Sequence, residues 1–70
     1  MKYIVSKDND LVIFSEGFKH SEVADKLRIV PVSAGFIDQN LKPYGKSFTL
    51  GLSAMEKDQR IINNHFNKYE

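Results

Sequence analysis

No cysteine occurs in the 70 residues of this chain, and that absence is the strongest constraint on its fold. A domain of this size buries only roughly 60% of the surface of its unfolded chain, so its core is thin. Disulfides and structural zinc sites, which support many small domains, both depend on cysteine. We therefore expect one small domain over residues 1–70 that is held together by packing alone. Association with a second copy is one way to enlarge such a core.

The charge balance argues against a protein built mainly to hold a nucleic-acid backbone. Ten Lys and Arg residues face nine Asp and Glu residues, and the formal net charge is +1. Proteins that hold a phosphate backbone usually carry a basic excess or a basic patch. Since the excess is absent, only a local patch could bind nucleic acid. A protein is therefore the favoured partner, and nucleic acid is the less favoured one.

The start of the chain carries neither a secretory signal nor a membrane span. Met1–Val5 is largely apolar, but charges return at Lys7 and Asp8. A signal peptide needs about 7–15 apolar residues in a row, and a membrane-spanning helix needs about 20. We therefore expect a soluble, cytoplasmic protein with no membrane association. The missing cysteines fit a reducing compartment.

The first half of the chain predicts a β-hairpin followed by a short helix. Lys2–Ser6 and Leu11–Phe14 are rich in strand-forming residues, and a short polar segment with turn chemistry separates them. Ser21 is the expected N-cap of a helix that ends near Leu27. Pro31 prevents that helix from continuing.

The second half predicts two more strands and a final helix. Residues 28–37 alternate, with Val30, Val32, Ala34 and Phe36 on one face, and Gly35 marks a bulge or a close backbone approach. Residues 44–52 alternate again. The segment Ser53–Glu56 has the form of a capping box that opens the last helix. The apolar stripe of that helix contains Met55, Ile62, Phe66 and Tyr69.

These elements predict an α+β fold with the order ββαββα. The architecture that fits this order is one antiparallel sheet of about four strands with the two helices on one face. No linker, repeat or low-complexity segment divides the chain.

One segment partly matches the sequence pattern of a phosphate-binding loop. Asn40–Ser47 ends in the Gly-Lys-Ser of the pattern G-x-x-x-x-G-K-[ST], but Asn40 replaces the first glycine. A phosphate loop must open a helix, whereas the segment after Ser47 is β-rich and interrupted by Gly51. Pro43 also removes one of the N–H groups that would hold the phosphates. We interpret residues 43–45 as a turn that leads into a strand.

No constellation of catalytic or metal-binding residues stands out. His20 and His65 belong to different predicted elements, and neither has a second ligand at metal spacing. Asp8 and Asp10 match the start of a calcium loop whose Gly and Glu are missing, so they are interpreted as turn residues. No nucleophile has an identifiable base. The sequence therefore predicts a protein that is not an enzyme and has no cofactor and no metal.

The last helix offers the most suggestive surface. Its polar face is basic and rich in amides, and such a face could contact phosphates and base edges. The alternative is the ordinary solvated face that every amphipathic helix needs. The candidate nucleic-acid contacts on it are Lys57, Arg60, Asn64 and Lys68.

Three residues are candidates for protein contact. Ile61 lies about 100° from the centre of the apolar stripe, so either the buried stripe is wide or Ile61 reaches a partner. Tyr44 lies in a predicted loop, where an aromatic residue either marks an interface or covers the edge of a thin core. His65 adjoins Ile61 on the boundary of the helix.

Several segments of the second half resemble a group of short phage and prophage proteins of unassigned function. They are Val32–Phe36, Tyr44–Ser47, Leu50–Ser53, Asp58 and Ile61–Ile62. The group often has a proline and paired acids after its Leu-Gly-Leu-x-Ser stretch, whereas residues 54–58 keep the acids and lack the proline. The resemblance implies a small accessory protein of phage or mobile-element origin. It assigns no activity and no functional residue.

Together these observations predict a non-enzymatic binding protein that docks on a host or phage protein, either as a monomer or as a homodimer. The alternative is a nucleic-acid-binding module that uses the last helix.

Overall fold

The computed structural model describes residues 1–67 and shows a small α+β domain with two helices and a four-stranded antiparallel sheet. The helices are α1 (His20–Leu27) and α2 (Lys57–Asn67), and the strands are β1 (Lys2–Ser6), β2 (Leu11–Phe14), β3 (Pro31–Ile37), β4 (Pro43–Tyr44), β5 (Lys46–Ser47) and β6 (Leu52–Ser53). The order ββαββα is therefore not matched. The predicted single strand over residues 44–52 is instead three two-residue strands and a turn.

The predicted hairpin of the first two strands is confirmed. Strands β1 and β2 pair antiparallel, with Tyr3 opposite Ile13. The hydroxyl oxygen of Ser6 closes the turn by accepting the N–H groups of Asp8 and Asp10, each at 3.2 Å. Asn9 adopts a left-handed conformation with φ 64°, which asparagine tolerates.

The main sheet has the order β2-β1-β3-β4, so the first strand of the chain is central. The register between β1 and β3 shifts after Val5. Beyond this irregularity Val32 packs with the residues around Tyr3, whereas Ala34 packs with Ile4. The predicted common face of residues 30, 32, 34 and 36 is therefore wrong, because the shift breaks the alternation.

The two helices cover opposite faces of the sheet, and the prediction that they share one face is wrong. Ile62 of α2 packs with Tyr3, Val5 and Ile37. On the other face α1 contributes Ala24, which packs with Ile4 and Ala34. The physical reason lies in β1, where Tyr3, Ile4 and Val5 are all fully buried, since a strand that is apolar at successive positions needs cover on both faces.

The chain after β4 folds back over β3. An ideal Cβ on Gly35 would lie only 2.6 Å from the carbonyl oxygen of Tyr44, so this position requires glycine. The predicted close approach of backbone is thus confirmed. Gly45, with φ 75°, then turns the chain into the small β5–β6 hairpin.

Both helices begin elsewhere than predicted. Helix α1 starts at His20, not after Ser21, and the backbone N–H of Lys19 donates to the Glu22 carboxylate at 3.2 Å. The predicted capping box is wrong because Ser53 pairs with Lys46 in the small hairpin.

Helix α2 starts at Lys57, so Met55 precedes the helix instead of lying on its apolar stripe. Tyr69, the last member of that predicted stripe, lies outside the described residues.

Candidate functional site

The predicted contact residues of α2 lie beside the β1–β2 turn. Arg60, Ile61 and Asn64 line two adjoining depressions of about 920 and 720 Å³, and Asn9 from the turn lines both. Lys57 lines the first depression only, and His65 lines the second only. The structure thus brings five of the predicted residues to one surface. Lys68 lies outside the described residues.

The lining of these two depressions, which we call the α2 surface, contains more amide side chains than basic ones. The ammonium of Lys57 lies 3.8 Å from the Asp58 carboxylate, and Glu56 lines the same depression. The side-chain amide of Gln59 donates to the side-chain oxygen of Asn63 at 3.0 Å. The positive charge of Lys57 is therefore partly offset within the surface itself.

Ile61 and His65 are half-buried on the boundary of α2. Ile61 packs against the apolar cluster around Tyr3 and Ile62, so a wide buried stripe accounts for much of its position. The ring of His65 lies edge-on to Phe66, with the ring centroids 5.2 Å apart. Both residues thus contribute to packing as well as to the surface.

Tyr44 belongs to β4 and not to the predicted loop. Its exposed ring stacks on Phe36 with the centroids 5.6 Å apart. It lines a separate depression with Met55 and Gln59. Ile61 and His65 do not line this depression, although Glu56 and Gln59 line both it and the first depression beside Ile61.

A fully buried carboxylate connects α2 to the sheet. The Asp58 side chain accepts hydrogen bonds from the Tyr3 hydroxyl at 2.5 Å, the Ser33 hydroxyl at 2.8 Å and the Met55 N–H at 2.9 Å. Burial, with the adjoining carboxylate, raises the pKa of Tyr3 far above its usual range. Since Tyr3, Ser33 and Asp58 are fully buried and bonded to one another, we assign this network to structure. Sequence reasoning missed it because the partners lie far apart in the chain.

A buried histidine plays the corresponding role on the other face. The Nε2–H of His20 donates to the Gly35 carbonyl at 2.9 Å, and the carbonyl requires the proton to be on that nitrogen. The ring lies edge-on between Phe14 and Phe36. Burial lowers the pKa of His20 below its usual value. Its burial, hydrogen bond and ring contacts identify His20 as a packing residue. The described residues contain no group of three or more side chains that could hold a metal ion.

A second surface, which sequence reasoning did not find, lies at the beginning of α1. Three lysines that are distant in sequence line a small opening there of about 140 Å³, which we call the lysine depression. Its lining is Lys2, Lys19, His20, Phe36, Lys46, Ser47, Phe48 and Thr49.

The α1–β2 groove is the third candidate surface. It has a volume of about 380 Å³ and lies between α1 and the outer edge of β2. Its lining is Val12, Ile13, Phe14, Phe18, Glu22, Val23, Lys26 and Leu27. Phe18 and Leu27 remain 55% and 53% exposed, and within residues 1–67 no strand pairs with the outer edge of β2.

Comparison with known proteins adds no relative to this description. No protein-family model, no curated protein and no solved structure matches the chain. Across residues 1–67, no helix has the length and apolar character needed to cross a membrane.

Proposed function

We propose that the chain is a small, non-enzymatic accessory protein of phage or mobile-element type that acts by protein–protein binding. Its partner at the α1–β2 groove is a second copy of the chain. The observation that carries the binding proposal is the uncovered, apolar outer edge of β2. The resemblance of the second half to short phage proteins supports the accessory role.

The outer edge of β2 lacks the features that usually prevent strands from pairing with other chains. Leu11–Phe14 contains no charge and no proline. Natural edge strands are commonly protected by lysine, by proline or by being very short. The opposite edge of the sheet, β4, is protected in this way, because it has only two residues and begins with Pro43. The β2 edge is therefore suited to accept another strand.

The groove beside this edge supplies apolar surface for the same contact. Phe18 and Leu27 project large apolar side chains into solvent at its rim. Contiguous exposed apolar surface is characteristic of interaction sites. Strand pairing along β2 would bring the partner alongside both residues.

The charges at the rim of the groove favour a second copy. Glu22 and Lys26 lie one helical turn apart on α1. A two-fold axis beside β2 pairs the two β2 edges antiparallel and reverses the direction of the second helix. Glu22 of one copy then faces Lys26 of the other, and the same pair recurs across the axis. The groove is thus complementary to itself in charge.

The test is the oligomeric state measured by light scattering after size exclusion over a wide range of concentrations. We expect a dimer that Leu27→Lys dissociates, because the new ammonium would be buried without a partner. Val30→Lys is the matched control, since Val30 is similarly exposed at 55% but lies outside the groove. A chain that stays monomeric up to its solubility limit would contradict the second-copy proposal. A dimer that survives Leu27→Lys would place the interface elsewhere.

A further inference from the structure

We propose that the lysine depression is a binding site for single-stranded nucleic acid. A backbone phosphate is held by the ammonium groups, and the adjoining unpaired base stacks on the ring of Phe48. This site shares no lining residue with the α1–β2 groove.

The charge of the depression is strongly one-sided. Lys2 comes from β1, Lys19 immediately precedes α1 and Lys46 comes from β5. Among the described residues, no carboxylate belongs to its lining. A chain with a net charge of only +1 therefore concentrates three positive charges at one small opening. Such a local concentration is what a phosphate group requires.

The ammonium groups remain able to bind an anion. Lys2 donates one hydrogen bond to the Phe18 carbonyl at 2.7 Å, which fixes its position and leaves two further protons. The N-terminus of α1 lies at the same opening, where the backbone N–H of Ser21 donates to the Thr49 hydroxyl at 3.2 Å. The Glu22 carboxylate, which accepts the Lys19 N–H at 3.2 Å, offsets part of the positive field but does not line the depression.

Phe48 supplies the surface for a base. It is 84% exposed, in the turn between β5 and β6, and its ring therefore contributes little to the core. The ammonium of Lys46 lies 4.8 Å from the centroid of this ring. A stacking platform next to a cation matches a nucleotide, in which the base and the phosphate are neighbours. Aromatic rings combined with lysines are the usual means of binding single strands.

A single strand fits this surface better than a duplex. Stacking on Phe48 needs the free face of an unpaired base, which a duplex does not offer along its length. The α2 surface, by contrast, has acidic groups beside Lys57 and no exposed phenylalanine or tryptophan in its lining. The geometry thus favours the lysine depression over α2 for nucleic acid.

The first measurement is the fluorescence anisotropy of a labelled oligothymidylate at low salt. One phosphate neutralised by the ammonium groups predicts that the logarithm of affinity falls with the logarithm of salt concentration with a slope of about −0.7. Phe48→Ala should weaken binding about tenfold, and Phe48→Trp should retain it, because stacking depends on the aromatic face. Since Phe48 is exposed, neither change is expected to disturb the fold.

The controls separate this surface from α2 and from simple anion binding. Lys46→Ala should weaken binding, whereas Lys57→Ala, which removes the same charge from α2, should not. Loss of binding in Lys57→Ala but not in Lys46→Ala would overturn the proposal. Equal affinity for a duplex, or unchanged binding by Phe48→Ala, would also overturn it. Displacement of the oligonucleotide by an equal concentration of inorganic phosphate would show an anion site without base recognition and would overturn it as well.

Discussion

The two faces of the sheet are covered in different ways, one by α2 and the other by α1. The face under α2 contains the larger apolar cluster, with Tyr3, Val5, Ile37 and Ile62 all buried, and a carboxylate network within it. The face under α1 has small residues at its centre, such as Ala24 and Ala34, and one polar link through His20. The α1 face also leaves both the α1–β2 groove and the lysine depression open. The α2 side thus contains the larger buried network, and the α1 side carries both surfaces proposed above for binding.

The largest expected effect is on the α2 face. Asp58→Ala leaves two buried hydroxyl groups and one N–H without an acceptor, so we expect it to lower the free energy of unfolding by about 4 kcal/mol. Urea denaturation followed by circular dichroism measures this loss. Tyr3→Phe removes one donor only and should cost about 1.5 kcal/mol, which keeps the comparison measurable if Asp58→Ala does not fold. Glu56→Ala, which removes an exposed carboxylate nearby, is the control. If Asp58→Ala lowers the free energy of unfolding no more than Glu56→Ala does, the network does not have this role.

An intermediate effect should separate the apolar contributions of the two helices. Ile62→Ala should cost about 3 kcal/mol, because Ile62 is fully buried and its removal leaves a cavity. Val23→Ala on α1 should cost about 1 kcal/mol, since Val23 is only partly buried beside the groove. The same denaturation experiment measures both. Equal losses would mean that the two faces contribute alike and that the comparison fails.

The smallest effect is a pH dependence on the α1 face. Because burial lowers the pKa of His20 in the folded state, the fold binds fewer protons there than the unfolded chain does. The stabilising contribution is therefore complete above the ordinary histidine pKa of 6.5 and declines as the pH falls below it. Unfolding free energies measured on both sides of this pH should show the decline. His20→Gln should flatten this decline, and a decline that persists in His20→Gln would disprove the assignment.

Local patterns were sufficient for part of this fold. The β1–β2 hairpin and the α+β class follow from short apolar runs and turn residues, and the structure confirms them. The capping box at Ser53 had the correct residues, but strand pairing with Lys46 took precedence. A tertiary contact thus overrode a local preference.

The faces and the sites required three-dimensional information. The burial of β1 on both sides was implicit in its unbroken apolar run, yet which helix covers which face depends on how the chain crosses the sheet. The lysines of the depression are distant in sequence and meet only through that topology. Phe48 had the parity of a strand residue, and only the turn it occupies makes it exposed.

The central position of β1 has a consequence for synthesis of the chain on the ribosome. Its β3 partner follows more than 20 residues later, and the Tyr3–Asp58 bond closes a span of 55 residues. At the usual elongation rates of about 5–20 residues per second, roughly 3 to 11 s separate the synthesis of Tyr3 from that of Asp58. Until β3 and the helices are complete, the apolar faces of the nascent hairpin stay uncovered, so the incomplete chain exposes surface of the kind that chaperones bind.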